Sequence, residues 1–363
     1  MRRTDRSLAG FTLATLAPLP LLLLAAFFGG AYGWAALAYL TVFITLSDRL
    51  VPKSWRNRNP QAEFPASEEL SLFLGVAHLW MMVAAVFWLG GPNGVNGRDA
   101  VIAGVAFGIW FGQVSHPNAH ELIHRPARQA RQLGRLVYIS LLFGHHASSH
   151  PKVHHRHVAT PGDPNTARAG EGFWRYALRA WTGSFAAGFA AEHADLKRAG
   201  KSPFQTPYVE YVLGAVAMVV IAYALAGWPG VGTLVALSAF AQYQVLMSDY
   251  VQHYGLRRAE RADGRYEPVG PQHSWNSPHA VSGAMMMNAP RHSDHHVHPG
   301  RPYPALQLND VTMPILPYSL PVMGAIAVVP PLWRRVMDRR LRHWQPETEA
   351  PEPYAYGQET AAE

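Results

Sequence analysis

Apolar residues fall in long, nearly uninterrupted runs along this chain, while charge and histidine gather between them. A helix needs roughly 20 apolar residues to cross the hydrocarbon core of a bilayer. Six segments approach or meet that length, and the pattern predicts membrane-spanning helices over 8–28, 32–50, 70–89, 98–116, 208–228 and 231–250. The first run follows the basic opening MRRTDR. A signal peptide is the alternative there, but the run is long and no small-residue cleavage site precedes the next apolar run.

The connections orient the set. GGAYGW, GGPNGVNGRD and AGWPGVG carry almost no basic residues, whereas MRRTDR, PKSWRNR and RPARQARQLGR lie on the opposite side. Basic loops stay in the cytoplasm, which places both termini and every histidine-rich segment there, in an inner (plasma) membrane of bacterial type. The shorter apolar stretches 136–143 and 173–189 predict interfacial or cytoplasmic helices. Residues 311–333 contain five prolines and predict a re-entrant or interfacial segment rather than a seventh span. Residues 1–343 then form one membrane-embedded domain, and the Pro-, Glu- and Ala-rich tail 344–363 is expected to be disordered. The expected class is an all-α integral membrane protein: a six-helix bundle with a histidine-rich site on its cytoplasmic side.

Composition narrows the chemistry. Among 363 residues there is no cysteine, so disulfides, thiolate metal sites and cysteine nucleophiles are excluded, whereas there are 19 histidines. Any metal is held by nitrogen and oxygen. The formal charge of +7 follows the loops and bears first on topology. No nucleic-acid partner is expected.

Four elements carry the histidines. In HELIH, His120 and His124 stand four apart, on one face of a helix continuing from the fourth span, with His116 a turn earlier. His150 and His154 repeat the spacing, and His155 adds a further direction. His253 ends the sixth span. His292, His295 and His296 form an HxxHH group. These nine imidazoles are too many for one metal of four to six coordination and suit two metals in a shared pocket. Imidazole accepts zinc, copper, iron or nickel, so the ligand type alone does not choose the metal. HELIH also matches the HExxH zinc-protease pattern, with Glu121 as general base. An intramembrane metalloprotease is therefore a competing class. It predicts that Glu121 is indispensable and His253 is not. A metal transporter or buffer predicts polar residues within the spans, which hold few.

The segments HELIHR near 120, HPKVHHRHVATPGDP near 150, QHYGLRR near 253, HSWNSPHAVSG and RHSDHHVHP near 273–299 resemble the membrane alkane 1-monooxygenases and the xylene monooxygenase hydroxylase component. These belong to a wider group of histidine-rich membrane desaturases and hydroxylases. The resemblance covers roughly 101–303 and departs at Ile123 (glycine in the alkane hydroxylases), Arg125 (lysine), and Ser149 and Gln252 (often glutamate). It implies two non-haem iron ions held by His120, His124, His150, His154, His155, His253, His292, His295 and His296. It also implies O2-dependent hydroxylation of a terminal methyl group, alkane to 1-alkanol. Electrons would come from a rubredoxin or a ferredoxin-type reductase. A methyl-arene or a lipid, the latter hydroxylated or desaturated, is the alternative substrate.

Histidine ligands need outer partners to fix their tautomer. Glu121, Asp163, Asp249 and Asp294 are the candidates, Asp294 above all because His292 and His295 enclose it in sequence. Arg125, Arg128, Arg131, Lys152, Arg156, Arg257, Arg258 and Arg291 crowd the same side. They predict headgroup contacts and a docking surface for an acidic electron carrier.

Overall fold

The computed structural model describes residues 3–92, 94, 95 and 97–345. The expected disorder of the tail falls, from residue 346 on, outside the described residues. The described chain is helical, with only two isolated bridges, Glu260–Tyr266 and Asn276–Ile315, and no strand.

Four helices are long and apolar enough to cross a membrane: α1 (Leu8–Phe28), α2 (Gly30–Leu50), α3 (Pro65–Gly90) and the 47-residue Pro207–His253. The predicted fourth span lies in a continuous helical stretch made of α4 (Gly97–Trp110), a π-helical turn (Phe111–Ser115) and α5 (His116–Ile123). Its glycines, Gln113, Ser115 and His116 hold its hydropathy down.

The elements run between two ends of the bundle. At one end sit the reversals. Gly29 and Gly30, at φ +61° and +55°, turn α1 into α2, and a Cβ on Gly29 would strike Val95 and Asp99 at the start of α4. Gly90, at the end of α3, packs so closely on Gly230 that a Cβ would lie 2.7 Å from its Cα. At the other end, the Phe11 ring meets Tyr303 at 4.8 Å, Asp48 Oδ1 accepts the amides of Val281 and Ser282, and Asn118 Nδ2 donates to the Ser71 carbonyl. The histidine clusters lie at this second end.

After α5 come α6 (Arg128–Ser140), α7 (His146–Ser149, followed by a π-helical turn His150–His154) and α8 (Phe173–Arg198), so Pro207–His253 is α9. Unbroken, α9 would be about 70 Å long. Yet both of its ends lie beside the histidines. Tyr211 Oη is 2.7 Å from Ser148 Oγ, and His253 Nε2 is 2.9 Å from His292 Nε2, while Gly230 sits at the far end against Gly90. The backbone therefore doubles back at Ala226 (φ −148°) and Gly227 (φ +61°, ψ −152°), and Pro229 starts the return. Only a residue without a Cβ adopts the Gly227 conformation freely. The chain thus makes six passes along the bundle: α1, α2, α3, α4–α5 and the two arms of α9.

The stretch 173–189 belongs to a 26-residue helix, α8, rather than a short one. It buries Phe173, Tyr176 and Ala180 and leaves Trp174, Leu178, Trp181, Phe185 and Phe189 on its open face. That apolar stripe suits an interfacial helix. The tail end of the described chain adds α10 (Ala280–Met285), α11 (His292–Val297), α12 (Leu320–Ala327) and α13 (Pro330–Trp344). The proline-rich 311–333 thereby holds α12 and the start of α13 rather than one span.

Candidate metal centre

The nine predicted histidines converge into two sets. His120, His124, His150, His155 and His295 form one, and His154, His253, His292 and His296 the other; within each, the ligand atoms all lie within 4.8 Å of one another. In the first set His150 Nε2 lies 2.7 Å from His120 Nε2 and 2.9 Å from His155 Nε2, and His155 Nε2 lies 3.1 Å from His295 Nε2. In the second, His292 Nε2 lies 2.9 Å from His253 Nε2 and 3.1 Å from His296 Nε2. Two nitrogens bound at right angles to one metal, at about 2.1 Å each, stand about 3 Å apart. The observed spacings are of that kind.

Local helix geometry decides which histidine joins which set. Four-residue spacing would pair His150 with His154. The π-helical turn His150–His154 instead brings residues five apart together, so His150 joins His155 and His154 turns to the other set. In α11, His292 and His296 share one face and His295 points to the first set. Adjacent residues thus serve different sets twice, at 154/155 and at 295/296. The His155 and His296 rings, 4.6 Å apart, join the two.

The electrostatics keep most of these imidazoles neutral, the form that ligates a metal. Burial and mutual proximity hold His150, His155, His295 and His296 well below the ordinary imidazole range. Burial likewise holds His124 at about 4 and His292 at about 3. Neutral imidazoles with lone pairs turned toward one point repel one another unless a metal sits between them. His154 alone is raised: burial opposes its charge, and Asp163 overrides it. Asp163 Oδ2 accepts from His154 Nδ1 at 2.8 Å, fixing that proton and aiming Nε2 inward. The same oxygen accepts from Thr166 Oγ1 at 2.7 Å, and Oδ1 accepts the amide of Asn165 at 3.0 Å.

Comparison with known proteins shows the family. The fatty acid desaturase family profile matches residues 99–327. An alkane 1-monooxygenase of Pseudomonas putida is 34% identical over 74% of this chain, and one of Alcanivorax borkumensis is 33% identical over 83% of this chain and 76% of its own length. The chain belongs to the alkane 1-monooxygenase family. It spans 66% of the length of the Pseudomonas putida and Ectopseudomonas oleovorans members. The xylene/toluene monooxygenase hydroxylase component of Pseudomonas putida is more distant, 25% identical over 88% of the chain.

The other residues read from the sequence fall unevenly around these histidines. Of the four carboxylates, Asp163 alone hydrogen-bonds a ligand candidate among the described residues. Asp249 Oδ2 accepts from Asn165 Nδ2 at 2.7 Å, one residue further out. Asp294, flanked by ligand candidates in sequence, turns away from them: Arg301 Nη1 donates to both its oxygens at 2.5 Å, and His298 and the Gln307 amide complete its partners. Glu121 is held by Arg125 and the Tyr303 amide. It is committed to packing and is not aimed at the histidines as the base of a zinc protease would be. His116 pairs its Nδ1 with Tyr138 Oη at 3.0 Å and joins neither set.

Four of the eight basic residues expected on a docking surface are spent internally. Arg125 pairs with Glu121, and Lys152 donates to Glu192 and Asp195 at 2.7 Å each. Arg291 is buried, because its guanidinium ties the carbonyls of Ser54, Arg56 and Leu306 and the Asn57 side chain to the base of α11. Arg258 donates to the carbonyls of Glu267 and Arg156. Arg128, Arg131, Arg156 and Arg257 stay exposed.

Sequence reading missed Asn276, in the HSWNSPH segment. It donates to Ser293 Oγ at 2.7 Å and accepts the Ser293 amide at 2.9 Å, clamping α11 in place. A lone buried asparagine in an irregular segment carries no pattern that would have singled it out.

Proposed function

We propose that this protein is a membrane monooxygenase that hydroxylates a terminal methyl group of a hydrophobic hydrocarbon, alkane to 1-alkanol, with O2 and electrons from a separate carrier. The observation that supports this most is the pair of histidine sets, five and four imidazoles, at one end of an apolar helical bundle. His120, His124, His150, His155 and His295 would hold one iron, and His154, His253, His292 and His296 a second. When bound, the irons would activate O2 for attack on a C–H bond that offers no acidic or nucleophilic handle.

The chain's own residues supply the setting. Asp163 keeps the His154 proton on Nδ1. Asn276 and Ser293 hold α11 so that His295 and His296 reach different sets. Seven of the nine histidines are buried, which limits water at the centre. An alkane dissolves in the bilayer, and six passes ending at the histidines let it approach from the lipid. In this reading the passes cross the inner membrane with both termini and the centre on the cytoplasmic side. Exposed Arg128, Arg131, Arg156 and Arg257 on that side suit an acidic rubredoxin-type donor. Electron transfer that is indifferent to salt would remove the docking part of the proposal.

The test is metal content and turnover together, on the protein purified in mild detergent. About two irons per chain and 1-octanol from octane, with a rubredoxin–reductase pair, are the expected result. Benzyl alcohol from toluene in place of 1-octanol would shift the substrate to methyl-arenes. One zinc and no oxygenated product would overturn the reading.

A further inference from the structure

Between α4, the second arm of α9 and α12 lies an apolar cavity of about 340 Å³, lined by Ile109, Gln113, Phe240, Gln244, Ser248 and Leu320. A second, of about 480 Å³, continues along the same two helices toward the reversal end and shares Phe240. Glycine lets the second arm of α9 pack closely here: a Cβ on Gly108 of α4 would strike Phe240, and one on Gly112 of the π-helical turn would strike Gln244.

The cavity is not uniformly apolar. Gln244 Nε2 donates to the carbonyls of Gly108 at 2.7 Å and Phe240 at 3.2 Å, which fixes the direction of its amide. Its Oε1 is left buried with no partner. Gln113, on the π-helical turn, also has a buried Oε1 without a partner. In a hydrocarbon setting, such acceptors have no water to turn to. A hydrocarbon cannot satisfy them; a hydroxyl can. The cavity also lies close to the centre. Ser248 is five residues before His253, and Gln113 seven before His120, or about 7.5 and 10 Å along their helices.

We infer that this cavity binds a primary alcohol: its O–H donates to Gln244 Oε1, with Gln113 Oε1 as the second acceptor, and its chain lies along Phe240 toward the second cavity. This rests on the proposed hydroxylation, whose product is such an alcohol. The site would draw the product away from the histidines and back toward the lipid.

The probe is a decanol carrying a mid-chain diazirine, photolysed with the full-length, metal-loaded protein in nanodiscs and mapped by peptide mass. Label is expected in 109–113 and 240–248. 1-Decanol should compete about tenfold better than decane, the effect of one hydrogen bond to a buried acceptor. Gln244→Leu should erase that preference while leaving iron content and Tm intact. If it fails to fold, Gln113→Leu is expected to weaken the preference in the same direction. Equal competition by decane, or label spread over the lipid-facing positions of 209–221, would overturn the inference. Binding is read without turnover, so expected labelling with no octane oxidation would sink the proposed reaction and leave the alcohol site standing.

Discussion

Replacing Asp163 by asparagine tests the centre most directly. The side chain is fully buried and faces three donors: His154 Nδ1, Thr166 Oγ1 and the Asn165 amide. A carboxylate accepts from all three. An amide of the same shape must turn its NH2 toward one of them, and it loses the charge that orients His154. Hydrogen bonds involving a charged group contribute about 1.5–3 kcal/mol. Loss of such a partner behind a metal ligand typically weakens the metal 10- to 100-fold, or about 1.4–2.7 kcal/mol. Chelator competition on the loaded protein, followed by iron counting, reads this out. The set containing His154 should empty first, so iron falls toward about half before the rest is lost. Asp294→Asn is the control. It breaks the ion pair with Arg301 and should lower Tm while leaving chelator resistance near normal. If Asp163→Asn holds iron as tightly as the parent and Asp294→Asn does not, the assignment of Asp163 as the orienting carboxylate is refuted.

Four further outcomes are expected. His295→Ala and His296→Ala, one residue apart, should each weaken a different iron, so their Mössbauer spectra should lose different components; identical losses would contradict the partition. Glu121→Gln should retain metal and lower stability by about 1–3 kcal/mol, through its lost pairing with Arg125; abolished metal binding would instead revive the protease reading. Metal-free protein should lose stability as pH falls from about 6.5 toward 4, measured as Tm. His124 and His292 bind protons at higher pH when unfolded than when folded, so acid favours the unfolded chain by up to about 1.4 kcal/mol per pH unit and group; a Tm that rises on acidification would contradict this. Gly90→Ala should cost about 1–3 kcal/mol by overpacking, because its Cβ meets the backbone of Gly230, again seen in Tm.

The parts of this fold that were legible in the sequence are those set by composition over many residues. The apolar runs mark the four helices long and apolar enough to cross a membrane, and glycine pairs such as Gly29–Gly30 mark the reversals. The nine histidines were readable because their residue type and clustering are both unusual. What the sequence concealed depends on a single turn of backbone. The π-helical turn at His150–His154 regroups ligands that a regular helix would have paired. Asp294 looked like a ligand partner by adjacency, but its position on α11 turns it toward Arg301. Asp163 is nine residues from His154, and a loop brings it back; no helical or strand period links the two. The fate of the basic residues was equally hidden, since Lys152 finds Glu192 and Asp195 across some forty residues.

The alternation at 154/155 and 295/296 bears on how the protein is made. Neither histidine set is complete without α11, the last of the four histidine elements to leave the ribosome: one waits for His295 and the other for His292 and His296. Until then the nascent chain offers at most four imidazoles of one set and two of the other. A metal that needs every ligand of its set would therefore be captured late, when most of the bundle has been synthesised, and would fasten α11 to α5, to the turn after α7 and to the end of α9 in one step. A chain cut short before residue 292 completes neither histidine set.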